Sequence, residues 1–347
     1  MRKVLIRSDA SNQAGVGHLM RSVALAQYIQ ARGIEVHLVT IPWQKSLTDY
    51  LSRQAFEVQY LDCAESQCAS EEDLHSTLRK LKDGFDWAVL DNYYFESDYQ
   101  RAVRNTSARL LVVDDRADQQ IDADIVVNHV VQGQPAAPQE NHGQMRLFGT
   151  EYVALRNELV RFSKRKKQGM NHILITLGGS SQVDALTKAM QAIIQIENAK
   201  LHVKVILGFL NSPEKILHLA SKSKHTIEIC QPTLKIEELY NWADFAICAG
   251  GGTSWELCHF GIPGIVGALI DHQLNVAELL DGAGIFKSVG WYKNTTAAEI
   301  AQTLSSLLDH PDQLEIMRKK ALSLVDGKGA ERIFNAMQQV EVEKAIK

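Results

Sequence analysis

Residues 3–21 read KVLIRSDASNQAGVGHLMR and join an apolar run to a glycine turn and a helical segment. The run at residues 4–7 is typical of a buried strand, and apolar residues recur at helical spacing over residues 18–32. A strand followed by a helix predicts one β-α unit of a parallel sheet. Gly15 and Gly17 allow a tight turn, after which the first N–H groups of the helix remain open to a ligand.

The same alternation of short apolar runs and helical segments continues outward from this stretch. Strands are predicted at residues 34–41, 57–61, 87–91, 110–114, 125–128, 172–177, 202–207, 226–230, 245–249 and 264–267. Helices are predicted between them, and two or three more from Thr296 onward. The pattern predicts an α/β fold of two doubly wound, Rossmann-like halves facing a central cleft, with ligands outside the carboxyl ends of the strands.

Composition divides the chain further. The predicted parts are an N-terminal domain (residues 1–150), a linker (151–170), a C-terminal nucleotide-binding domain (171–325) and a last helix (326–347). Residues 132–144 lack an apolar period, and residues 161–168 are basic and polar, as expected of solvated connections. The last helix could pack back onto the N-terminal domain.

The 347-residue chain has 37 Lys+Arg against 41 Asp+Glu, a net charge of −4, without a basic block, so nucleic-acid binding is not expected. Its 5 cysteines include no C-x-x-C pair, which favours reduced thiols. The apolar run near the N-terminus is too short for a signal peptide. The later apolar runs are shorter than the ~20 residues that span a membrane. We expect a cytoplasmic protein without stable membrane association. Its oligomeric state is open, with a monomer favoured.

The first candidate for chemistry is His18, at the helix start after the glycine turn. The helix dipole disfavours an imidazolium there, so a neutral ring could accept a proton from water. The alternative is a capping or packed histidine. Arg21 lies three residues later on the same helix face and is explained equally well as a surface arginine.

The second candidate is the glycine turn at residues 248–256, CAGGGTSWE, which follows a strand and opens a helix. Backbone N–H groups and two hydroxyls there could cradle a diphosphate. The residues of this cradle are Gly250, Gly251, Gly252, Thr253 and Ser254. Glu256 would repel phosphate and fits ribose hydroxyls better, or it simply complements the helix dipole. Neither turn is a Walker A motif or a complete dinucleotide fingerprint, so no cofactor is expected.

Further polar groups follow other predicted strands. They are residues 91–94 (DNYY), Gly178 with residues 179–181, and His272, Gln273 and Asn275 after Asp271. One side chain of residues 91–94 should reach the cleft, whereas Asp271 could equally be a helix cap. Asp114 and Asp115 are adjacent and would point in opposite directions along a strand, so no metal site is predicted there.

Four stretches follow one another in an order that resembles a known family: residues 7–21, 91–93, 151–156 and the glycine turn with Glu256. They resemble the UDP-sugar hydrolases of pseudaminic acid biosynthesis, and the resemblance covers nearly the whole chain. Those enzymes release UDP from UDP-2,4-diacetamido-2,4,6-trideoxy-β-L-altropyranose. They are related in fold to GT-B glycosyltransferases, especially the transferase that adds N-acetylglucosamine to the peptidoglycan lipid carrier, which implies a GT-B-like fold here.

The resemblance also implies residue roles. His18 would be the general base that deprotonates the attacking water, and Tyr93 would lie near the sugar. Arg156 and Glu256 would belong to the uridine nucleotide site, with Glu256 at the ribose. Residues 250–254 would cradle the pyrophosphate. The polar residues implied beside the diphosphate and sugar are His272, Gln273 and Asn275.

One histidine and a phosphate cradle form a sufficient set for hydrolysis, since UDP is a good leaving group. Attack by water opposite UDP would invert the anomeric centre, and we expect activity without a metal. A GT-B glycosyltransferase, a catalytically silent nucleotide-sugar sensor and an epimerase remain alternatives. Residues 1–130 hold no basic amphipathic stretch for a lipid acceptor, which favours water. A sensor would not need His18, and an epimerase would need more carboxylates than Glu256.

Overall fold

A computed structural model describes most of the chain. The described residues are 1–12, 15–63, 68–106, 108–116, 121–130, 144–162, 171–178, 183–208 and 213–345. The features predicted at residues 132–143, 163–168 and 179–181 lie outside these ranges. The chain divides into a first unit, Met1–Val160 with Gly327–Lys347, and a second unit, Arg161–Asp326.

Within the described residues, the first unit contains one parallel sheet of seven strands. They are β1 (Lys3–Ser8), β2 (Glu35–Thr40), β3 (Glu57–Tyr60), β4 (Trp87–Asp91), β5 (Arg109–Val113), β6 (Ile125–Asn128) and β7 (Met145–Phe148). Their order across the sheet is β3-β2-β1-β4-β5-β6-β7. The chain winds from β1 to one edge and then returns to β4, so the topological switch point lies between β1 and β4.

Helices connect the first five of these strands, because each parallel crossover must return the chain to the same end of the sheet, and a further helix follows β7. The helices are α1 (Gly17–Gln30), α2 (Lys45–Leu51), α3 (Glu71–Leu81), α4 (Ser97–Arg104) and α5 (Asn157–Val160). All of β4, WAVLD, is buried, as expected of a central strand covered on both faces. The ends of β1 and β4 therefore hold their polar residues in a closely packed environment.

The second unit repeats this plan with a parallel sheet of six strands among its described residues. The strands are β8 (His172–Thr176), β9 (His202–Ile206), β10 (Thr226–Cys230), β11 (Phe245–Ala249), β12 (Gly264–Ala268) and β13 (Phe286–Trp291). Their order is β10-β9-β8-β11-β12-β13, which places the switch point between β8 and β11. The helices are α6 (Val183–Ile194), α7 (Glu214–Ser221), α8 (Glu237–Trp242), α9 (Gly252–His259), α10 (Asp271–Gly282), α11 (Ala297–Leu308) and α12 (Pro311–Leu324).

The last helix, α13 (Gly329–Ala345), belongs to the first unit and packs against α1. Its Glu341 accepts a hydrogen bond of 2.9 Å from the indole N–H of the buried Trp87 in β4. Glu341 also pairs with Arg109 and with the amino group of Met1. The helix thus supplies the acceptor that a buried indole N–H requires.

The doubly wound arrangement of both sheets agrees with the sequence prediction, with three differences in detail. Strands β7 and β13 were not predicted. Helix α10 begins at Asp271, and its N-cap Ile270 makes no side-chain cap. Asp271 is therefore the first helical residue and not a cap.

Candidate active site

His18 lies in the first turn of α1, directly after β1, and is 5% exposed. Two backbone hydrogen bonds between Ser11 and Gly15, of 3.0 and 2.8 Å, close the loop that precedes it. Gly17 is exposed. Apart from its chain neighbours and the backbone of its own helix, no atom of the described residues lies within 4 Å of the position a Cβ would take there. Packing within the protein therefore does not require a glycine at the start of this helix.

The imidazole of His18 is held by a carboxylate from the neighbouring strand. Asp91, the last residue of β4, places Oδ1 2.8 Å from Nδ1 of His18. Arg21 Nη2 lies 2.9 Å from the same nitrogen and 2.7 Å from Asp91 Oδ1. A carboxylate only accepts hydrogen bonds and a guanidinium only donates them, so the two neighbours of Nδ1 favour opposite tautomers. Arg21 Nη2 already donates to Asp91 Oδ1, whereas the bond between Nδ1 and Asp91 requires the proton on Nδ1. In that tautomer Nε2 is the nitrogen that can take a proton from another molecule.

Asp91 is fixed in turn by several donors. Its Oδ2 accepts from Arg21 Nε at 2.8 Å and from the hydroxyl of Ser22 at 3.0 Å. Arg21 also pairs with Asp115, which follows β5, and its Nη1 lies 3.5 Å from Nδ1 of His129, which follows β6. We call His18, Arg21, Asp91, Asp115 and His129 the His18 cluster. Its members come from the carboxyl ends of adjacent strands and from α1.

Tyr93 and Arg116 flank the His18 cluster. The ring of Tyr93 meets the imidazole of His18 edge to face, with centroids 4.4 Å apart. The guanidinium of Arg116 lies 5.3 Å from the centre of the Tyr93 ring and pairs with Asp114 at 3.2 Å. Asp114 and Asp115 therefore have different cationic partners. Burial raises the pKa of Tyr93, and the nearby Asp115 raises it further, so the phenol stays protonated.

Burial and charge together set the protonation of the cluster. Burial by itself would raise the pKa values of Asp91 and Asp115, but Arg21 lowers both below their usual range. Burial lowers the pKa of His129 to about 4, against the opposing effect of Asp115. At neutral pH two carboxylates thus face one guanidinium, while His129 is uncharged. A proton accepted by His18 would neutralise the one negative charge that the guanidinium leaves uncompensated.

The His129 shift predicts an acid-sensitive fold. Between pH 6.5 and about 4 the unfolded chain binds a proton at His129 that the folded chain does not. The free energy of unfolding should therefore fall as the pH is lowered through this window, by up to about 3 kcal/mol. Denaturant unfolding at several pH values measures this slope. The variant His129→Gln should show a smaller slope between pH 6.5 and 4. An unchanged slope would contradict the lowered pKa of His129 as the cause of the acid sensitivity.

The second unit carries the glycine turn at its own switch point. Gly250 and Gly251 follow β11, and α9 begins at Gly252 without a side-chain cap on its N-terminus. The hydroxyl of Ser254 donates to Gly251 O at 2.6 Å, so its proton stabilises the turn itself. Ser254 is fully buried, whereas Gly252 is exposed and Thr253 partly exposed. The N–H groups of Gly250, Gly251 and Ser254 already donate to backbone carbonyls, at 2.9 to 3.0 Å. The helix dipole and the N–H groups of Gly252 and Thr253 are what the turn offers an anion such as a diphosphate.

Gly250 and Gly251 face different constraints. A Cβ on Gly250 would lie 2.4 Å from Gln273 O in α10, whereas one on Gly251 would make only an ordinary contact of 3.7 Å. Gly250→Ala should therefore lower the free energy of unfolding by about 1–3 kcal/mol. The matched control Gly251→Ala should stay within about 0.5 kcal/mol of the parent protein. Denaturant unfolding compares the two variants, and equal losses would contradict the close approach of α10.

The other predicted site residues of the second unit lie on the two helices α9 and α10. Gln273 accepts a hydrogen bond from Leu269 N at 2.9 Å, and its amide lies beside Gly251. Asn275 is exposed and His272 partly buried, both on α10. Glu256 lies in the second turn of α9, not the first, and accepts a hydrogen bond of 2.6 Å from Tyr240. Tyr240 was not singled out from the sequence.

Gly178 and Arg156 are the remaining residues that the sequence analysis singled out. Gly178 follows β8 with a φ of +87°, a conformation that favours glycine, at the same switch point as the glycine turn. Arg156 is buried in the first unit, where its guanidinium lies 5.8 Å from the centre of the Tyr50 ring. The Tyr50 hydroxyl donates to Glu158 at 3.0 Å. Arg156 is thus packed among side chains of its own unit.

No group of three or more His, Cys, Asp or Glu side chains among the described residues is placed to hold a metal ion. No helix in the same residues combines the length and the apolar character needed to cross a bilayer.

Part of the chain matches a glycosyltransferase family model, and several curated proteins are similar to it. Residues 172–336 match the family model described as the glycosyltransferase family 28 C-terminal domain. The spore coat polysaccharide biosynthesis protein SpsG of Bacillus subtilis is 21% identical over 342 residues, covering 96% of this chain and 97% of that protein. A UDP-N-acetylglucosamine--N-acetylmuramyl-(pentapeptide) pyrophosphoryl-undecaprenol N-acetylglucosamine transferase of Caldanaerobacter subterraneus is 26% identical over 54% of this chain and 55% of its own length. An uncharacterized protein of Methanocaldococcus jannaschii is 24% identical over 76% of this chain, which spans 55% of that protein.

Solved structures show the fold. MurG of Acinetobacter baumannii matches 98% of this chain and 100% of its own with a TM-score of 0.71 at 17% identity. The calicheamicin glycosyltransferase CalG4 matches 98% of this chain and 99% of its own with a TM-score of 0.64 at 15% identity. The predicted fold class is confirmed, because the protein has the GT-B fold with two Rossmann-like, parallel-sheet domains.

Proposed function

We propose that this protein is a UDP-sugar hydrolase, in which water attacks the anomeric carbon with inversion and UDP is released. The observation that carries the proposal is the pair of His18 and Asp91, joined by a hydrogen bond of 2.8 Å at the switch point of the first sheet. A buried histidine with one nitrogen fixed by a carboxylate is suited to accept a proton at its other nitrogen. Ligands of doubly wound sheets bind outside the carboxyl ends of the strands, where this pair lies.

The first unit supplies the proposed base. In the first unit, Nε2 of His18 accepts a proton from water while the water oxygen bonds to the anomeric carbon. The bond from that carbon to the UDP oxygen breaks, and UDP leaves with the electron pair. The imidazolium is paired with Asp91, so the proton enters a cluster that held one uncompensated negative charge. Tyr93 packs against the ring and keeps its orientation.

In the second unit, the glycine turn would bind the diphosphate. The uncapped N-terminus of α9 can stabilise the negative charge that develops on UDP as it leaves. Glu256 would accept hydrogen bonds from the ribose hydroxyls, and Gln273 and Thr253 lie near enough to the turn to contact phosphate oxygens. The match of residues 172–336 to the family 28 C-terminal domain supports a nucleotide-sugar site in this unit.

The substrate we propose is UDP-2,4-diacetamido-2,4,6-trideoxy-β-L-altropyranose, within pseudaminic acid biosynthesis. This assignment rests on the resemblance of residues 7–21 and 151–156 to that hydrolase family. The full-length similarity to a spore coat polysaccharide biosynthesis protein supports a role in glycan biosynthesis. Pseudaminic acid, a nonulosonic acid, would then serve a surface glycan.

A GT-B glycosyltransferase that uses a UDP-sugar donor is the second candidate. It is favoured by the similarity of about half the chain to an N-acetylglucosamine transferase of peptidoglycan synthesis. Such an enzyme would use the same nucleotide site but pass the sugar to an acceptor hydroxyl, so the two candidates differ in what happens when only water is present.

Incubation of the purified protein with this UDP-sugar in EDTA, followed by proton NMR, separates the candidates. Release of UDP and free sugar with an inverted anomeric centre is the expected result, because the proposal routes no step through a metal. Binding of UDP without release of sugar would overturn the hydrolase in favour of a transferase that lacks its acceptor. Absence of UDP binding would overturn both.

A further inference from the structure

The carboxylate of Glu256 is held by a buried side chain from another helix. Tyr240 in α8 is 2% exposed and donates its hydroxyl to Glu256 Oε2 at 2.6 Å. The rings of Tyr240 and Phe260 have centroids 5.5 Å apart, and Phe260 immediately follows α9, the helix that carries Glu256. Tyr240 is therefore packed against α9 and bonded to the same helix.

This bond restricts the orientation of Glu256. A partly exposed glutamate on a helix samples several rotamers, and a short hydrogen bond to an ionised oxygen favours one of them. A carboxylate has two oxygens with about four acceptor positions, so the tyrosine leaves capacity for hydroxyl donors. Orientation before binding reduces the entropy lost when a ligand orders the side chain.

We propose that Tyr240 is a positioning residue for nucleotide recognition, which fixes the carboxylate of Glu256 to accept hydrogen bonds from the ribose hydroxyls. This inference rests on the proposed function, since it takes a uridine nucleotide as the ligand of the second unit. A site built to bond a hydroxyl discriminates strongly against an analogue without it, because the acceptor is then left unpaired. Tyr240 would therefore contribute to selectivity for ribose and not to the affinity for the base or the diphosphate.

The test compares UDP with 2′,3′-dideoxyuridine 5′-diphosphate by calorimetry, since these probes differ only in the two ribose hydroxyls. We expect the parent protein to bind UDP at least about tenfold more tightly than the dideoxy probe. Tyr240→Phe should weaken UDP binding about fivefold and leave the dideoxy probe within about twofold. Glu256→Ala should remove the preference, and adding Tyr240→Phe to it should cause no further loss.

The outcomes separate this inference from the proposed function. Equal weakening of both probes in Tyr240→Phe, or an unchanged ratio, would overturn the positioning role. A parent protein that binds UDP without preferring it over the dideoxy probe would also overturn that role and leave the proposed function standing. A parent protein that binds neither probe would overturn the proposed function itself.

Two further replacements guard against loss of folding in Tyr240→Phe. 4-Fluorophenylalanine in place of Tyr240 fills the volume of the hydroxyl without donating, and 4-aminophenylalanine restores a donor. Preference for UDP should be low with the first and recover with the second. A purely structural role would give the same ratio of affinities in both proteins.

Discussion

Asparagine in place of His18 is expected to lower turnover of the UDP-sugar by about 10²–10⁴-fold, the usual contribution of a general base. The Kd for UDP should stay within about twofold, because His18 is not a ligand of the diphosphate in this mechanism. The amide of asparagine can still bond Asp91, but it cannot take a proton from water at neutral pH. Turnover is followed as UDP release, and the Kd is measured by calorimetry on the same preparation.

A second histidine of the first unit provides the control. His75 lies in α3 and is exposed, so His75→Asn makes the same chemical change away from the His18 cluster. Its turnover should match that of the parent protein. A loss of UDP affinity in His18→Asn as large as its loss of turnover would contradict the role of base and indicate a role in binding.

The sequence predicted the central strands well because central parallel strands are apolar on both faces. Strands β4 and β6 begin and end at the predicted residues. The two missed strands are less apolar: β7 reads MRLF, and β13 reads FKSVGW with mostly half-buried side chains. Both lie at an edge of their sheet, where one side has no neighbouring strand and polar residues are tolerated. Apolar periodicity lost its signal at these two edges, whereas the edge strands β3 and β10 were predicted from their apolar residues.

The candidate site was predicted only where a local sequence signature marks it. His18 and the glycine turn have local signatures, a turn before a helix start, and both lie at switch points as the fold class implies. The partners of His18 depend on which strands are neighbours. Asp91 ends β4, which lies beside β1, and Asp115 follows β5, one strand further away. The order of the strands therefore decides that both carboxylates reach Arg21. The doubly wound fold was predicted, and applying its strand order to residues 91 and 115 would have brought these strand ends together.

Asparagine in place of Asp91 is expected to lower turnover by about 10²–10⁴-fold while UDP still binds. The introduced amide would present either its oxygen or its N–H to His18 Nδ1. The N–H would favour the tautomer with the proton on Nε2, which cannot accept a proton from water. Removing the charge also leaves the forming imidazolium without its counter-ion. A steady-state measurement should show the loss in kcat and a nearly unchanged Kd for UDP.

Asp115→Asn is the matched control, because Asp91 and Asp115 share Arg21 but only Asp91 bonds His18. Each substitution breaks a buried ion pair and should destabilise the fold by up to about 3–5 kcal/mol. Their effects on turnover should nevertheless differ by at least about tenfold, with Asp115→Asn the more active. Equal losses of turnover at equal losses of stability would mean that the cluster acts by rigidity alone. Unequal losses would show that turnover depends on the carboxylate that bonds His18, and not on the ion pairs of Arg21 alone.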